Sequence, residues 1–275
     1  MKTTAIAALM AACGTASAAD LLASLNNPNI DQMLAGESFT DEDVFRTNQS
    51  GSTASLFFTV SATSTSADLN AFHIRPDGKY VFSTLFNLSG FGGGSFEDDD
   101  LVLYDPDTDT ASFLIDGTTF FDNTFEDFDA VSQLPNGNYL LSTLSDANVA
   151  VGGGLSVLDG DIFEWNPSTN AVSTFLTEAD FGGGDVAGLH ALASGNLLVT
   201  FNADVASING TFVNEGDIVE YNPATKSVVG VYFAESNFTD GDSTNYEFDA
   251  IFLIPSPGSA AMLGLAGLTV LRRRR

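Results

Sequence analysis

Asp161-Ile-Phe-Glu-Trp-Asn-Pro167 is one of three copies of a segment that decides the fold. The other two are Asp100-Leu-Val-Leu-Tyr-Asp-Pro106 and Asp217-Ile-Val-Glu-Tyr-Asn-Pro223, and a degenerate copy begins at Asp43. From Asp43 onward, the leading aspartates are separated by 57, 61 and 56 residues. A nearly constant period of this length indicates a tandem structural repeat.

A second segment keeps the same period between the copies of the first. It covers residues 71–83, 130–142 and 188–200, and each copy has a turn glycine at its eighth position (Gly78, Gly137 and Gly195). The start of this segment returns once more as Phe-Asp-Ala-Ile-Phe at 248–252. Because two segments share one period, the repeat is not a chance similarity.

Each unit contains short runs of β-branched and aromatic residues bounded by Gly, Pro, Asn and Asp, which is typical of strands. The second segment predicts strand a, a tight turn and strand b, and the first predicts strand c, a turn at the Asx-Pro pair and strand d. A long loop rich in Gly and Asp joins b to c. The body of the chain offers no long amphipathic helix.

These features predict an all-β fold, a β-propeller-like repeat of about four four-stranded units in residues 19–254. The chain opens with strands c and d (44–48 and 54–60) and closes with a strand a (246–254), so pairing of the N- and C-terminal strands would complete one shared blade. Strand b of that blade would come from residues 56–61 or from the stretch after Leu21. An irregular five-bladed ring and a non-propeller β-repeat are the alternatives.

The charge distribution excludes several classes of partner. The chain has 36 acidic and nine basic residues, and only Arg46, Arg75, Lys79 and Lys226 of the basic ones lie outside the two chain ends. Such a body repels nucleic acid and anionic lipid. Cys13 is the single cysteine, and it precedes the predicted mature chain, so we expect no disulfide and no thiol chemistry.

The N-terminus has the pattern of a secretion signal. Lys2 is followed by an apolar stretch over 5–12 and by Ala16-Ser17-Ala18, which predicts a signal peptide over 1–18. The alternative is a lipoprotein cut before Cys13. Both hypotheses predict export.

The acidic run Glu97, Asp98, Asp99 and Asp100 is the candidate metal site, and calcium is the only cofactor considered for it. A solvated loop is the favoured interpretation. Asp105-Pro-Asp-Thr-Asp109 also resembles the start of a calcium loop, but Lys226 replaces a ligand in the third copy, so we interpret that segment as a turn.

The only two histidines, His73 and His190, occupy the same repeat position and would face each other across the axis of a four-bladed ring. Ser132 and Phe252 stand at the equivalent positions, which favours packing over metal binding. The chain lacks a nucleophile elbow and a His-Glu-x-x-His motif, so no catalytic residue is assigned.

The C-terminus is Pro255-Ser256-Pro257, an apolar run over 258–271 and the basic cluster Arg272, Arg273, Arg274 and Arg275. As a helix, the run would extend about 21 Å, short of the roughly 30 Å hydrocarbon core, which suits a processing signal and confines membrane contact to this segment. Residues 255–275 resemble the PEP-CTERM sorting domain, with Ser256 in place of that family's glutamate. The resemblance implies an exosortase-type processing enzyme as a partner, and export to the cell envelope or to a matrix that contains extracellular polysaccharide.

The favoured functional hypothesis is a non-catalytic, acidic binding or structural propeller at the cell surface or in the extracellular matrix. One alternative is a secreted enzyme that acts on extracellular polysaccharide, with Asp129 and Asp249 as carboxylates near the channel mouth. The other is a calcium-dependent adhesin.

Overall fold

The computed structural model of the protein describes residues 19–26, 32–60, 67–122, 126–238 and 247–254. In chain order, the strands of the first half of this part are β1 (Asp20–Asn26), β2 (Gln32–Leu34), β3 (Glu37–Phe39), β4 (Asp43–Asn48), β5 (Ala54–Thr59), β6 (Ala71–Ile74), β7 (Tyr80–Ser83), β8 (Leu88–Ser89), β9 (Ser95–Phe96), β10 (Leu101–Asp105), β11 (Thr110–Ile115) and β12 (Phe128–Gln133). The second half contains β13 (Tyr139–Thr143), β14 (Ala147–Val149), β15 (Leu155–Val157), β16 (Ile162–Asn166), β17 (Ala171–Leu176), β18 (Val186–Ala191), β19 (Leu197–Phe201), β20 (Val205–Ile208), β21 (Thr211–Val213), β22 (Ile218–Asn222), β23 (Ser227–Phe233) and β24 (Glu247–Ile254).

Helices in the described residues are limited to single turns. These are α1 (Gly117–Phe120) and the 3-10 helices Phe91–Gly93, Val151–Gly153, Glu178–Phe181 and Glu235–Asn237. None of them has the length and apolar character needed to cross a membrane. The apolar run 258–271 lies outside the described residues.

The strands form four antiparallel four-stranded sheets, which confirms the four predicted units. From the axis outward, the blades are β6-β7-β10-β11 (blade I), β12-β13-β16-β17 (blade II), β18-β19-β22-β23 (blade III) and β24-β1-β4-β5 (blade IV). Each inner strand neighbours the next around the axis, and β24 also contacts β6. The described residues therefore form a closed four-bladed β-propeller, and the five-bladed and non-propeller alternatives do not hold for them.

Blade IV combines both ends of the described chain. Strand β1 lies between β24 and β4, with Leu21 opposite Leu253 on one side and opposite Thr47 on the other. The stretch after Leu21 therefore supplies strand b, whereas residues 56–59 belong to the outer strand β5. The predicted pairing of the N- and C-terminal strands is confirmed.

A recurring hydroxyl at the end of each strand b connects three blades to the next one. Ser24 Oγ donates to the Leu69 carbonyl oxygen at 3.0 Å, and Thr200 Oγ1 donates to the Phe248 carbonyl oxygen at 2.9 Å. Ser83 Oγ donates to the corresponding carbonyl of Phe128. Ser142, at the same position of blade II, instead donates to carbonyl oxygens within its own blade, at Asp159 and Asp161.

The hydrophobic core fills the wedges between neighbouring blades. Phe72, Val131, Leu189 and Ile251, which share one position of the inner strands, are all buried. The small residue before each of them permits close approach of the inner strands. At Gly188, an added Cβ would lie 2.5 Å from Thr200 Oγ1, so blade III has no room for a side chain there.

The loops between strands b and c contain two-stranded ribbons that the sequence did not predict. The ribbons are β2–β3, β8–β9, β14–β15 and β20–β21. Gly92 and Gly152 lie at the tips of two of them, where an added Cβ would come within 2.6 Å of Ala111 N and 2.5 Å of Asn170 O, respectively. These glycines therefore allow each ribbon to lie against strand d of its own blade or the turn before it.

Candidate functional site

The beginnings of the four inner strands carry a recurring pair of polar positions at one end of the channel. Each inner strand contains one small residue at the same repeat position: Ala71, Ala130, Gly188 or Ala250. An acidic residue stands three positions before each of them: Asp68, Asp127, Asp185 and Glu247. Directly before the small residue stand Asn70, Asp129, Ala187 and Asp249. We call the six carboxylates at these positions (Asp68, Asp127, Asp129, Asp185, Glu247 and Asp249) the acidic channel mouth.

Asp129 and Asp249 lie deepest among these carboxylates. They begin inner strands of blades II and IV, which are opposite each other, and β12 and β24 approach within 8 Å between Cα atoms. Asp129 is 3% exposed and Asp249 is 6% exposed. Within the described part of the chain, neither Asp129 Oδ1, Asp129 Oδ2 nor Asp249 Oδ2 has a hydrogen-bond partner.

Burial and mutual repulsion raise the pKa values of the carboxyl groups in the acidic channel mouth. Burial, followed by the charge of Asp185, raises the pKa of Asp129 well above its usual range. Burial and the charges of Asp68, Glu247 and Asp129 raise the pKa of Asp249 in the same way. A carboxylate that lacks both water and a cationic partner is disfavoured in its charged form, so the surroundings of both groups favour the protonated carboxyl.

The outer carboxylates of the mouth are shifted in the same direction. Burial and nearby acidic side chains raise the pKa of Asp68 and of Asp127 to about 7. Burial, with the charge of Glu215, raises the pKa of Glu247 to about 7. Burial raises the pKa of Asp185 to about 6, although Asn202 Nδ2 donates a 2.7 Å hydrogen bond to its Oδ2. The site therefore changes its charge near neutral pH.

The predicted calcium segment is divided between the surface and the interior. Glu97 is exposed and Asp98 half-buried, whereas Asp99 and Asp100 are buried, so the four side chains do not form one surface cluster. Asp98 and Asp99 contribute to raising the pKa of Asp127, which connects the segment electrostatically to the acidic channel mouth. In the described part of the chain, no three acidic, histidine or cysteine side chains are grouped so as to hold a metal ion.

Asp100 has a structural role that explains the recurring aspartate. Its Oδ2 accepts a hydrogen bond from Glu97 N at 2.7 Å, and its Oδ1 accepts one from Gly117 N at 3.0 Å. Asp161 accepts in the same way from Leu158 N at 3.1 Å and from Glu178 N at 2.7 Å. The leading aspartate therefore ties the turn before strand c to the segment that follows strand d.

The segment 105–109 is a turn, as the sequence predicts. Asp105 Oδ1 accepts from Asp107 N at 3.0 Å, and Asn222 Oδ1 accepts from Ala224 N at 2.9 Å in the third copy. The last residue of each turn has a positive φ, 52° at both Asp109 and Lys226. The side-chain oxygens of Asp105 and Asn222 therefore stabilise the turn.

The two histidines meet on the axis, as the repeat predicts, with Phe252 against both. The His73 and His190 rings are 6.3 Å apart between centroids, and Phe252 packs edge-on at 5.1 and 4.9 Å. Burial lowers the pKa of His73 to about 3 and that of His190 to about 4, so both imidazoles are neutral. Gln133 N donates to His73 Nε2 at 3.4 Å. These three rings plug the channel, three positions beyond that of Asp129 and Asp249 along the inner strands.

Several sequence predictions fall outside the described residues. These are the signal peptide 1–18 with Cys13, and the sorting segment with Pro255, Ser256, Pro257 and Arg272–Arg275. Conversely, Asp129 and Asp249 were predicted from the sequence as carboxylates near the channel mouth, whereas the outer acidic positions of Asp68, Asp127, Asp185 and Glu247 were not. Extending the repeat alignment three residues upstream of Ala71, Ala130, Gly188 and Ala250 would have found them.

No protein-family model and no curated protein matches this chain. Solved structures with similar folds include a chain of a nidogen/laminin complex, which is 10% identical at a TM-score of 0.40 and is aligned over 86% of this chain and 97% of that one. A protein of unknown function from Bacteroides caccae is 13% identical at a TM-score of 0.40, over 86% and 99% of the two chains. Virginiamycin B lyase from Staphylococcus aureus is 10% identical at a TM-score of 0.34, over 86% and 56%. Similarities this remote carry no argument about ligand or activity.

Proposed function

We propose that this protein is an exported, non-catalytic binding propeller of the cell envelope or extracellular matrix, and that its acidic channel mouth binds a cationic group. The observation that carries the proposal is Asp129, whose two carboxylate oxygens are buried without a partner among the described residues. Leaving such oxygens unpaired costs about 1–3 kcal/mol each. A site with this cost suits a ligand that supplies donors or positive charge.

An organic ammonium group fits the mouth better than a bare metal ion. Calcium takes six to eight oxygen ligands, and the described residues offer no chelating group of three. An ammonium needs only two or three acceptors, which unpartnered oxygens of Asp129 and Asp249 would provide. Phe86 and Leu144 are exposed next to the strand ends and supply apolar surface at this side of the blades.

The partner we infer is an extracellular polysaccharide with free amino groups. The Pro-Ser-Pro tail supports delivery to a polysaccharide-containing envelope, through its resemblance to a sorting domain read by an exosortase-type enzyme. The body, with four basic and 36 acidic residues, would repel an anionic polymer but attract a de-acetylated amino-sugar polymer.

The test is calorimetric titration of residues 19–254 with glucosamine oligomers and with N-acetylglucosamine oligomers of equal length. The two polymers differ only in the acetyl groups that remove the positive charge. We expect heat from the free-amine oligomer and none from the acetylated one. Equal binding of both, or of neither, would refute a cationic ligand, and a calcium titration that alone gave heat would replace it with the adhesin hypothesis.

A second candidate function rests on the same two carboxyl groups. Asp129 and Asp249 start opposite inner strands, and both have a raised pKa, as a general acid requires. A hydrolase acting on the bound polysaccharide would therefore use this pair. Oligomer shortening that is abolished in Asp129→Asn and in Asp249→Asn would favour this function over simple binding.

A further inference from the structure

A second acidic position recurs in the turn before strand c of every blade, two residues before the leading aspartate. The residues at this position are Asp41, Asp98, Asp159 and Glu215. Strand c runs in the same direction as strand a, so these turns lie at the end of the propeller that carries the acidic channel mouth. All four side chains are half-buried, so they are accessible to a ligand from solvent.

The backbone brings these turns against the start of the inner strand of the following blade. Between blades IV and I, Leu69 N donates to the Asp41 carbonyl oxygen at 3.1 Å. Between blades II and III, an added Cβ at Gly160 would lie 2.4 Å from the Gly184 carbonyl oxygen. Leu69, Gly160 and Gly184 are each adjacent in sequence to a residue at one of the recurring acidic positions. The two acidic positions are therefore neighbours across these interfaces.

Charge interactions show the same pairing at all four interfaces. After burial, the largest effect that raises the pKa of each outer carboxyl of the mouth is the charge of the turn acid from the preceding blade. Asp127, Asp185 and Glu247 are half-buried, like the turn acids. We call the resulting pairs the interblade carboxyl pairs: Asp41–Asp68, Asp98–Asp127, Asp159–Asp185 and Glu215–Glu247.

No basic side chain in the described part of the chain neutralises these pairs. Its four cations form ion pairs with other acids: Arg46 with Asp20, Arg75 with Asp77, Lys79 with Asp105 and Lys226 with Asp180. Asp68 is only 3% exposed, and its Oδ1 has no hydrogen-bond partner within the described ranges. Carboxylates held together without a cation repel each other, so a positively charged ligand would be stabilised between them.

We propose that the interblade carboxyl pairs are four additional subsites for ammonium groups around Asp129 and Asp249, so that the partner is a polycation rather than a single cationic group. The inference rests on the proposed function, because the pairs strengthen binding that Asp129 and Asp249 anchor. One partly exposed ion pair strengthens binding by at most about fivefold. A polymer that engages several pairs at once multiplies these small gains.

The number of free amines on the ligand tests this proposal. Residues 19–254 are titrated calorimetrically with a glucosamine hexamer and with an N-acetylglucosamine hexamer that carries one free amine. We expect the fully deacetylated hexamer to bind about 100-fold more tightly, beyond the about sixfold that six amines would give by statistics alone. A ratio of about sixfold or less would overturn the proposal and leave the proposed function intact. No binding of either hexamer would refute both.

Variants at opposite interfaces locate the subsites. Asp41→Asn/Asp68→Asn and Asp159→Asn/Asp185→Asn should each weaken binding of the glucosamine hexamer about fivefold, and all four substitutions together should weaken it about 25-fold. Binding of the single-amine hexamer should change much less, because Asp129 and Asp249 hold its one amine.

The control is Asp107→Asn/Asp109→Asn, which removes the same charge as each double variant. Both residues are exposed in the turn between strands c and d, at the other end of blade I. Asn170 stands at the position of Asp109 in blade II and also has a positive φ, so the turn tolerates the change. Thermal melts verify that each variant is folded. Undiminished hexamer binding in the folded fourfold variant, or an equal loss in the control, would overturn the proposal.

Discussion

Asp129 and Asp249 occupy the same position on two inner strands that face each other across the propeller axis, and the charge of Asp129 contributes to raising the pKa of Asp249. Both side chains are buried, and three of their four carboxylate oxygens are unpartnered within the described ranges. The blades thus bring together two acids that are 120 residues apart in the chain. Their shared burial makes the mouth responsive to both pH and cations.

The folded protein should become less stable as pH rises through the range in which the mouth ionises. A carboxyl whose folded pKa exceeds its unfolded value binds more protons in the folded state between these two values, so stability is lost as pH increases. This loss of stability begins at about pH 4, where free carboxyls titrate. It continues to about pH 7, the pKa of Asp127 and Glu247. Thermal melts across this pH window should show a falling Tm.

Surface repulsion in this acidic protein would act in the same direction, so the melts are repeated at high salt. Salt screens exposed charges but has little effect on buried ones. A Tm that is constant across the window at high salt would contradict the role of the buried carboxyls.

Asp129→Asn should stabilise the empty protein above neutral pH and reduce the slope of Tm against pH. The amide has nearly the same size as the carboxyl group but does not titrate. It therefore removes the free-energy cost of ionising a buried carboxyl, or of keeping it protonated at high pH. Asp107→Asn, at an exposed turn, is the matched control and should change neither quantity. A lower Tm in Asp129→Asn at high pH would show that the carboxylate stabilises the empty fold instead.

Asp161→Ala should destabilise the protein by about 1–3 kcal/mol, because two part-buried backbone N–H groups, of Leu158 and Glu178, lose their acceptor. Asp161→Asn keeps one acceptor oxygen and should lose about half as much. Urea denaturation measures both. If Asp161→Ala were as stable as the unmodified protein, the recurring aspartate would need an explanation other than its backbone contacts.

Ring closure predicts a sharp difference between two truncations. A chain that ends at Ile254 keeps β24 and should retain its Tm, whereas one that ends at Asn245 loses the inner strand of blade IV and exposes Leu21, Ala23 and Leu25 of β1. Thermal melts of both compare them directly. Similar Tm values would mean that β24 does not close the ring.

The repeat made most of the architecture predictable, because its period, turn glycines and Asx-Pro pairs are local in the sequence. The predicted turns occur at Gly78, Gly137 and Gly195, which have φ values of 83°, 88° and 88°. The sequence left two candidate stretches for strand b of blade IV, because residues 20–26 lie far from their partner β24 along the chain. Its assignment depends on long-range pairing that no local pattern encodes.

The candidate site was only partly predictable. The repeat placed His73 opposite His190, and it indicated that Asp129 and Asp249 lie near the channel mouth. It could not show that their oxygens are unpartnered, because hydrogen bonding depends on the three-dimensional surroundings. Likewise, the pattern of the run 97–100 favours a solvated loop over a calcium site, but it could not show that Asp100 accepts hydrogen bonds from two backbone N–H groups.

The most direct test of cation binding at the acidic channel mouth is calorimetric titration of three proteins with glucosamine oligomers near neutral pH: the unmodified chain, the double variant Asp129→Asn/Asp249→Asn and the control Asp107→Asn. Running each titration in two buffers of different ionisation enthalpy also counts the protons released. We predict binding with proton release for the unmodified chain and for Asp107→Asn, since a cation drives ionisation of carboxyls with raised pKa values. The double variant should lose both the binding and the proton release. Undiminished binding by the double variant would contradict the account.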